Sequence, residues 1–188
     1  MHARRLIFLF MALLMVGCGT NSEESGSSGG GEIYDLWAYM TPHKSYEMEY
    51  DLYENGEKID YFFETVKVLS ESSVKRESGE RVITLNLNNN SIKMVERGGE
   101  EIDIQRYVKV GDNDVFNAPS LDGCYVKSSL ESVTLKKKEF FNLLRINCNS
   151  KEERSEFYYA LDEGLVFVYK NDGRVERETV KIGERLLP

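Results

Sequence analysis

The sequence predicts a mainly β fold. It reads as an antiparallel meander of about ten strands forming a barrel, half-barrel or sandwich, with a short N-terminal helix or turn. Three observations lead there. From Tyr46 onward, apolar and polar residues alternate repeatedly with period two, as in strands with one buried face. Turn-forming clusters such as Asn55-Gly56, Gly98-Gly99 and Asn171-Asp172-Gly173 separate the runs, and Asn-Gly and Asp-Gly are strong hairpin signals. Parallel strands need crossovers of about a dozen residues or more. Most connections here are shorter, so the strands pair antiparallel.

The elements follow in order. Ile33, Leu36, Trp37 and Met40 have helical spacing, and Thr41-Pro42 ends the segment. Tyr46, Met48, Tyr50 and Leu52 alternate with Glu47, Glu49 and Asp51 to give the first long strand. Asn55-Gly56 turns it into a return strand from Lys58 to about Leu69, with Ile59, Tyr61 and Phe63 on one face. Val74 to Glu77 and Arg81 to Asn88 pair across Ser78-Gly79. Asn88-Asn89-Asn90 leads to Ser91 through Arg97, and Gly98-Gly99 leads to Glu101 through Val110. Gly111 to about Ser132 is a looser stretch containing Pro119 and Asp122-Gly123. Strands return at Val133 to Lys137, Phe140 to Asn149, Ser155 to Leu161, Leu165 to Lys170 and Arg174 to Ile182. Dense charge on the polar positions excludes a transmembrane barrel, which needs a lipid-facing apolar band.

Composition narrows the function classes. The 188 residues carry a net charge of −8 with a sequence pI near 5.0. A nucleic-acid binder would instead show a basic stripe and a high pI. Two His residues supply metal sites and catalytic triads poorly. There is no G-x-S-x-G elbow, Walker loop, G-x-G-x-x-G or H-E-x-x-H. The reading is therefore a non-enzyme with no cofactor and no metal.

The N-terminus carries the clearest motif. Arg4 and Arg5 precede an apolar run from Leu6 to Val16, too short to span a bilayer and of the right length for a signal-peptide core. Met15-Val16-Gly17-Cys18 follows and resembles the lipobox of bacterial lipoproteins, with Met15 in place of the usual Leu. The resemblance implies residues 1–17 as a cleaved signal peptide and Cys18 as the lipidated residue, acylated on its sulfur and new amino terminus. Two or more chains anchor a protein stably where one does not. Gly19 rather than Asp follows the lipidated Cys, which by the same resemblance implies the outer membrane, facing the periplasm. Residues 18–31 are the lipidated Cys and a Ser/Gly tether. Its Thr20 to Gly31 portion has an r.m.s. span of roughly 20 Å. Residues 32–188 form a single β-rich domain. Removing residues 1–17 takes Arg4 and Arg5 and no acidic residue, so the net charge goes from −8 to −10. The segment from Phe157 to Val166, with its Tyr-Ala and Gly-Leu-Val, resembles a late hairpin of secreted, β-rich bacterial lipoproteins, and implies no catalytic motif.

Cys124 and Cys148 remain, an even pair in a chain read as exported, for which a disulfide is the default and two buried thiols the alternative. Other candidates are weaker. His43 is a lone His at a strand entry. Asp112-Asn113-Asp114 clusters oxygens suited to Ca2+ but lacks EF-hand spacing. Lys136-Lys137-Lys138 is a strand end or an anionic contact patch. Glu47 and Glu49 share an exposed face. Tyr46, Tyr50, Tyr61, Phe63, Tyr158, Tyr159 and Tyr169 either fill a core or line an apolar groove. The chain is accordingly expected to be a membrane-anchored, non-catalytic binding or envelope-structural module. The alternative is a half-barrel carrier or chaperone for a lipid or other hydrophobic ligand. The partners expected are the membrane through Cys18 and an envelope protein or hydrophobic ligand, not nucleic acid.

Overall fold

The computed structural model describes residues 31–187, apart from residue 100, residues 119–122 and residues 151–152. Cys18, the signal peptide and nearly all of the tether lie outside the described residues, as does part of the charged turn after Ser150. The chain opens with β1 (Tyr34–Asp35) and a five-residue helix α1 (Leu36–Met40). Asp35 caps the helix by accepting the Trp37 N–H at 3.1 Å, and Thr41 closes it. The strands that follow are β2 (Tyr46–Glu54), β3 (Glu57–Ser70), β4 (Ser73–Ser78), β5 (Arg81–Leu87), β6 (Ser91–Glu96) and β7 (Glu101–Gln105). Two short ones come next, β8 (Tyr107–Val108) and β9 (Phe116–Asn117). The last five are β10 (Gly123–Leu135), β11 (Lys138–Asn149), β12 (Arg154–Ala160), β13 (Gly164–Asn171) and β14 (Glu176–Leu186).

These strands make one large antiparallel sheet that nearly closes into a barrel. One half runs β10-β11-β12-β13-β14-β2 and the other β3-β4-β5-β6-β7-β9, while β1 pairs separately with β8. The tight Asn55-Gly56 turn links the halves. Both of its residues have positive φ, 50° and 78°, as this hairpin type requires. The segment between Gly111 and Asn117 fills the seam. Asn117 and Phe116 pair with Asp103 and Ile104 of β7, while Val115 N–H donates to Cys124 O and Gly111 N–H to Val126 O of β10.

The looser stretch expected from Gly111 to Ser132 is thus partly strand. Its Ser-rich half becomes β10, and a bulge between Val126 and Ser128 shifts its register, hiding the alternation. The single strand expected from Glu101 to Val110 breaks at Arg106, which turns to grip Asp35 with paired contacts of 2.7–3.1 Å.

Hydrophobic residues pack on both faces of the sheet. Inside the barrel lie Leu36, Leu85, Ile92, Ile104, Val126, Leu144, Ile146 and Tyr159, with α1 at one end. Met48, Tyr50, Val66 and Val74 extend this interior. Leu143 and Tyr158 sit next to Leu144 and Tyr159 in sequence yet belong to a separate cluster with Leu130, Val133, Phe140, Phe167 and Val180. Adjacent strand residues point to opposite faces, so this second cluster is outside the barrel. The far half of the β10–β11 hairpin folds over it as an arm. At the arm's tip, Lys136 reaches Glu178 of β14 at 2.6 Å and lies over the Tyr53 ring of β2 at 4.8 Å. Burial on both faces explains the unbroken apolar runs of β12 and β13.

Cys124 and Cys148 are directly opposite in the β10–β11 ladder, with an S–S distance of 2.07 Å and 24 residues of separation. A loop of that size is worth about 3–4 kcal/mol in the chain-entropy picture. Replacing both cysteines with Ala should lower the unfolding free energy by about that amount. Urea unfolding of the oxidised protein and the double variant checks it, and equal midpoints would refute it.

Candidate functional site

Two features of the described residues stand out against a well-packed barrel: a polar cluster inside it and an apolar stripe outside it. The interior cluster arises because Glu64 and Arg76 occupy the buried phase of β3 and β4, the phase of Val66, Val68 and Val74. Arg76 Nη2 donates to Glu64 Oε2 at 2.5 Å. Tyr50 and Tyr159 flank the pair, and Tyr50 also donates to the Leu165 carbonyl at 3.0 Å. Burial disfavours the Arg76 cation, but Glu64 and Tyr50 beside it outweigh this and raise its pKa. Burial also pushes the Tyr50 phenol well above its usual range, and Tyr159 up to about 12. At neutral pH these groups are a fixed guanidinium and protonated phenols. They specify packing and are not poised for proton transfer. Arg76 Nε has no hydrogen-bond partner among the described residues.

Other charges are consumed structurally. Lys181, with no exposed surface, lies between Glu163 at 3.0 Å and Glu184 at 2.6 Å. Glu156 accepts from Arg145 and Arg154, both at 2.7 Å. Lys75 and Lys67 bond Glu77 and hold its carboxyl down at about 2.

The exterior stripe comes from the opposite phase of β3. Ile59, Tyr61 and Phe63 are 51%, 56% and 49% exposed, which corrects the expectation that the strand aromatics serve as a shared core or groove. Phe62, between them, turns inward and stacks on Tyr50 with ring centroids 5.0 Å apart. The seven strand aromatics do not line one groove: Tyr50, Tyr158 and Tyr159 are buried, Tyr46 and Tyr169 half-buried, and Tyr61 and Phe63 face solvent.

The remaining candidates fall into place. His43 is exposed and meets Asp162 at 2.7 Å. The Asp112-Asn113-Asp114 oxygens serve the turn itself, Asp112 accepting from Lys109 N–H at 2.8 Å and the Asn113 and Asp114 carbonyls from Gln105. Among the described residues no group of three or more His, Cys, Asp or Glu could hold a metal ion. Lys136 and Lys137 have φ of 47° and 71° and form the arm's turn, with Lys136 consumed by Glu178. Glu47 pairs with Arg185 at 2.7 Å. An open cleft of about 470 Å3 lies against the strand rim, lined by Asn90, Asp103, Ile104, Gln105 and Asn117.

The sequence matches no family profile and aligns with no curated protein. The fold has a solved relative, a protein from Bacteroides fragilis thought to be exported and described as having a YmcC-like fold. The two superpose with a TM-score of 0.51 at 10% identity, covering 78% of this chain and 98% of the other.

Removing only Arg76 (Arg76→Met) should strand the buried Glu64 and cost about 3–5 kcal/mol, while the double variant Glu64→Leu, Arg76→Met should recover most of it. Denaturant unfolding reads both. The raised Tyr159 value gives a second outcome. A phenol whose folded pKa exceeds its unfolded 10.0 contributes stability that is complete below pH 10 and lost as pH climbs toward about 12. Tyr159→Phe should therefore lose less stability between those pH values than the parent. Unfolding midpoints measured across that window check it.

Proposed function

We propose that this chain is an exported, lipid-anchored cell-envelope protein whose β barrel is a non-catalytic binding module. It is held through Cys18, on the outer membrane facing the periplasm. Several lines support the reading. Cys18 ends a lipobox-like sequence, and Gly19 follows it in place of the Asp associated with inner-membrane retention. The Ser/Gly tether gives the domain reach. A protein of similar fold is thought to be exported.

The observation that carries the binding role is the exposed Ile59, Tyr61 and Phe63, which alternate along one strand, whereas other exposed apolar residues such as Ile33, Phe141 and Leu186 lie apart from one another in the chain. Such rows mark interaction sites more often than single exposed residues do. The carrier alternative calls for an apolar cavity. Within the described barrel that space holds Leu36, Ile92, Val108, Leu144 and Ile146, all essentially fully buried.

Cell fractionation tests the anchoring. The wild-type protein should sediment with membranes, and its N-terminal peptide should carry the mass of acyl chains on Cys18. Cys18→Ser should move the chain out of the membrane fraction. An unmodified wild-type Cys18, or a Cys18→Ser variant still bound to membranes, would reject the reading.

A further inference from the structure

We infer that the outer face of the β2–β3 hairpin docks an extended, apolar segment of a partner protein that carries Lys or Arg side chains; this inference rests on the binding-module reading.

The geometry begins with an overhang. β3 pairs with β4 only from Thr65, opposite Glu77, so its stretch from Glu57 to Phe63 runs beyond the end of that neighbour. Glu57, Lys58, Ile59, Asp60 and Tyr61 are exposed on both faces of the strand. Tyr61 and Phe63 are arranged edge to face, centroids 5.9 Å apart, Ile59 is exposed two residues before Tyr61, and the Asp51-paired Lys58 lies 6.0 Å from the Tyr61 ring. An extended chain laid along this row would find side-chain contacts at the spacing of its own alternate residues.

The backbone edge itself is guarded. Asp60 Oδ1 accepts the Tyr61 N–H at 2.8 Å, and Ser78 Oγ donates to the Phe63 carbonyl at 3.2 Å. These groups are therefore not free to pair with an added strand. Recognition falls to the side-chain face.

Charge selects the occupant. Lys58 is held by Asp51 at 2.5 Å, and Glu54 and Glu47 are neutralised by Arg177 and Arg185. Glu49, Glu57 and Asp60 form no salt bridge among the described residues. Glu49 lies one strand over, its Oε2 3.6 Å from where a Cβ on Gly183 would be. A second copy of the chain would bring these three carboxylates against themselves, and an anionic bilayer surface would be repelled. A segment alternating apolar and cationic side chains satisfies both the row and its acidic margin.

The test uses the mature lipidated protein in phosphatidylcholine nanodiscs, with fluorescent hexapeptides alternating lysine, or glutamate, with valine and phenylalanine. Anisotropy should show the lysine peptide binding and the glutamate peptide not. The Ile59→Ser, Phe63→Ser variant keeps every charge and should bind about tenfold more weakly. Glu49→Gln with Glu57→Gln should bind several-fold more weakly and with a flatter salt dependence. Equal binding by the serine variant, or by the glutamate peptide, would overturn the inference. So would displacement of the peptide by excess phosphatidylcholine vesicles, which assigns the face to membrane. A dimer in sedimentation that the serine variant dissolves assigns the face to a second copy and overturns the inference as well. The mass of Cys18 scores anchoring separately, so either claim can fail while the other stands.

Discussion

The architecture depends on pairing at the seam between β7 and β10. A sheet of this many strands has two edges whose backbone groups must find partners or remain in water. Here the segment from Gly111 to Asn117 supplies them, bonding β7 through Phe116 and Asn117 and β10 through Gly111 and Val115. Because the seam is stitched, the interior becomes a nearly enclosed space to be filled. The short helix and its apolar side chains then complete the filling at one end, held by the paired Asp35–Arg106 contact.

Packing outside the barrel follows from the same closure. A barrel has one convex face, and β11 to β14 carry large apolar residues on it. The β10–β11 arm covers them, with Lys136 at its tip, while the Cys124–Cys148 bond ties the opposite, open end of the same hairpin. On β3, Ile59, Tyr61 and Phe63 stay in solvent. The same wall thus has a sheltered half and an open half, and the open half carries the proposed docking face.

The turns were readable in the sequence because their chemistry is local. Asn55-Gly56, Gly79, Gly98 and Gly173 all sit where positive φ is required. Antiparallel order followed from loop length alone. Less visible was anything set by phase over distance. Bulges on β10 at Val126/Ser128 and on β13 opposite Tyr158/Tyr159, where Val166 and Phe167 both join the outer cluster, break the alternation, so parity counted along those strands goes astray. Nothing in the residue type of Glu64 and Arg76 marks them as buried. Their shared phase with Val66 and Val74 was the clue to a buried pair. Ile59 to Phe63 alternates like a core strand, yet the neighbour that would have covered it ends too soon. Nothing local in the sequence reports the length of a neighbouring strand.

The ladder between β14 and β2 has consequences for how the molecule comes into being. Arg177 lies opposite Glu54, joining positions 123 residues apart, and Leu186 lies opposite Tyr46. The first long strand must wait for the last before either edge is satisfied. Contacts of such high order slow folding and make it collective, since the loop entropy is lost before the pairing returns anything. A nascent chain lacking its final dozen residues would present β2 and β13 as open templates, with Phe167 and Val168 among the surfaces at risk of aggregation.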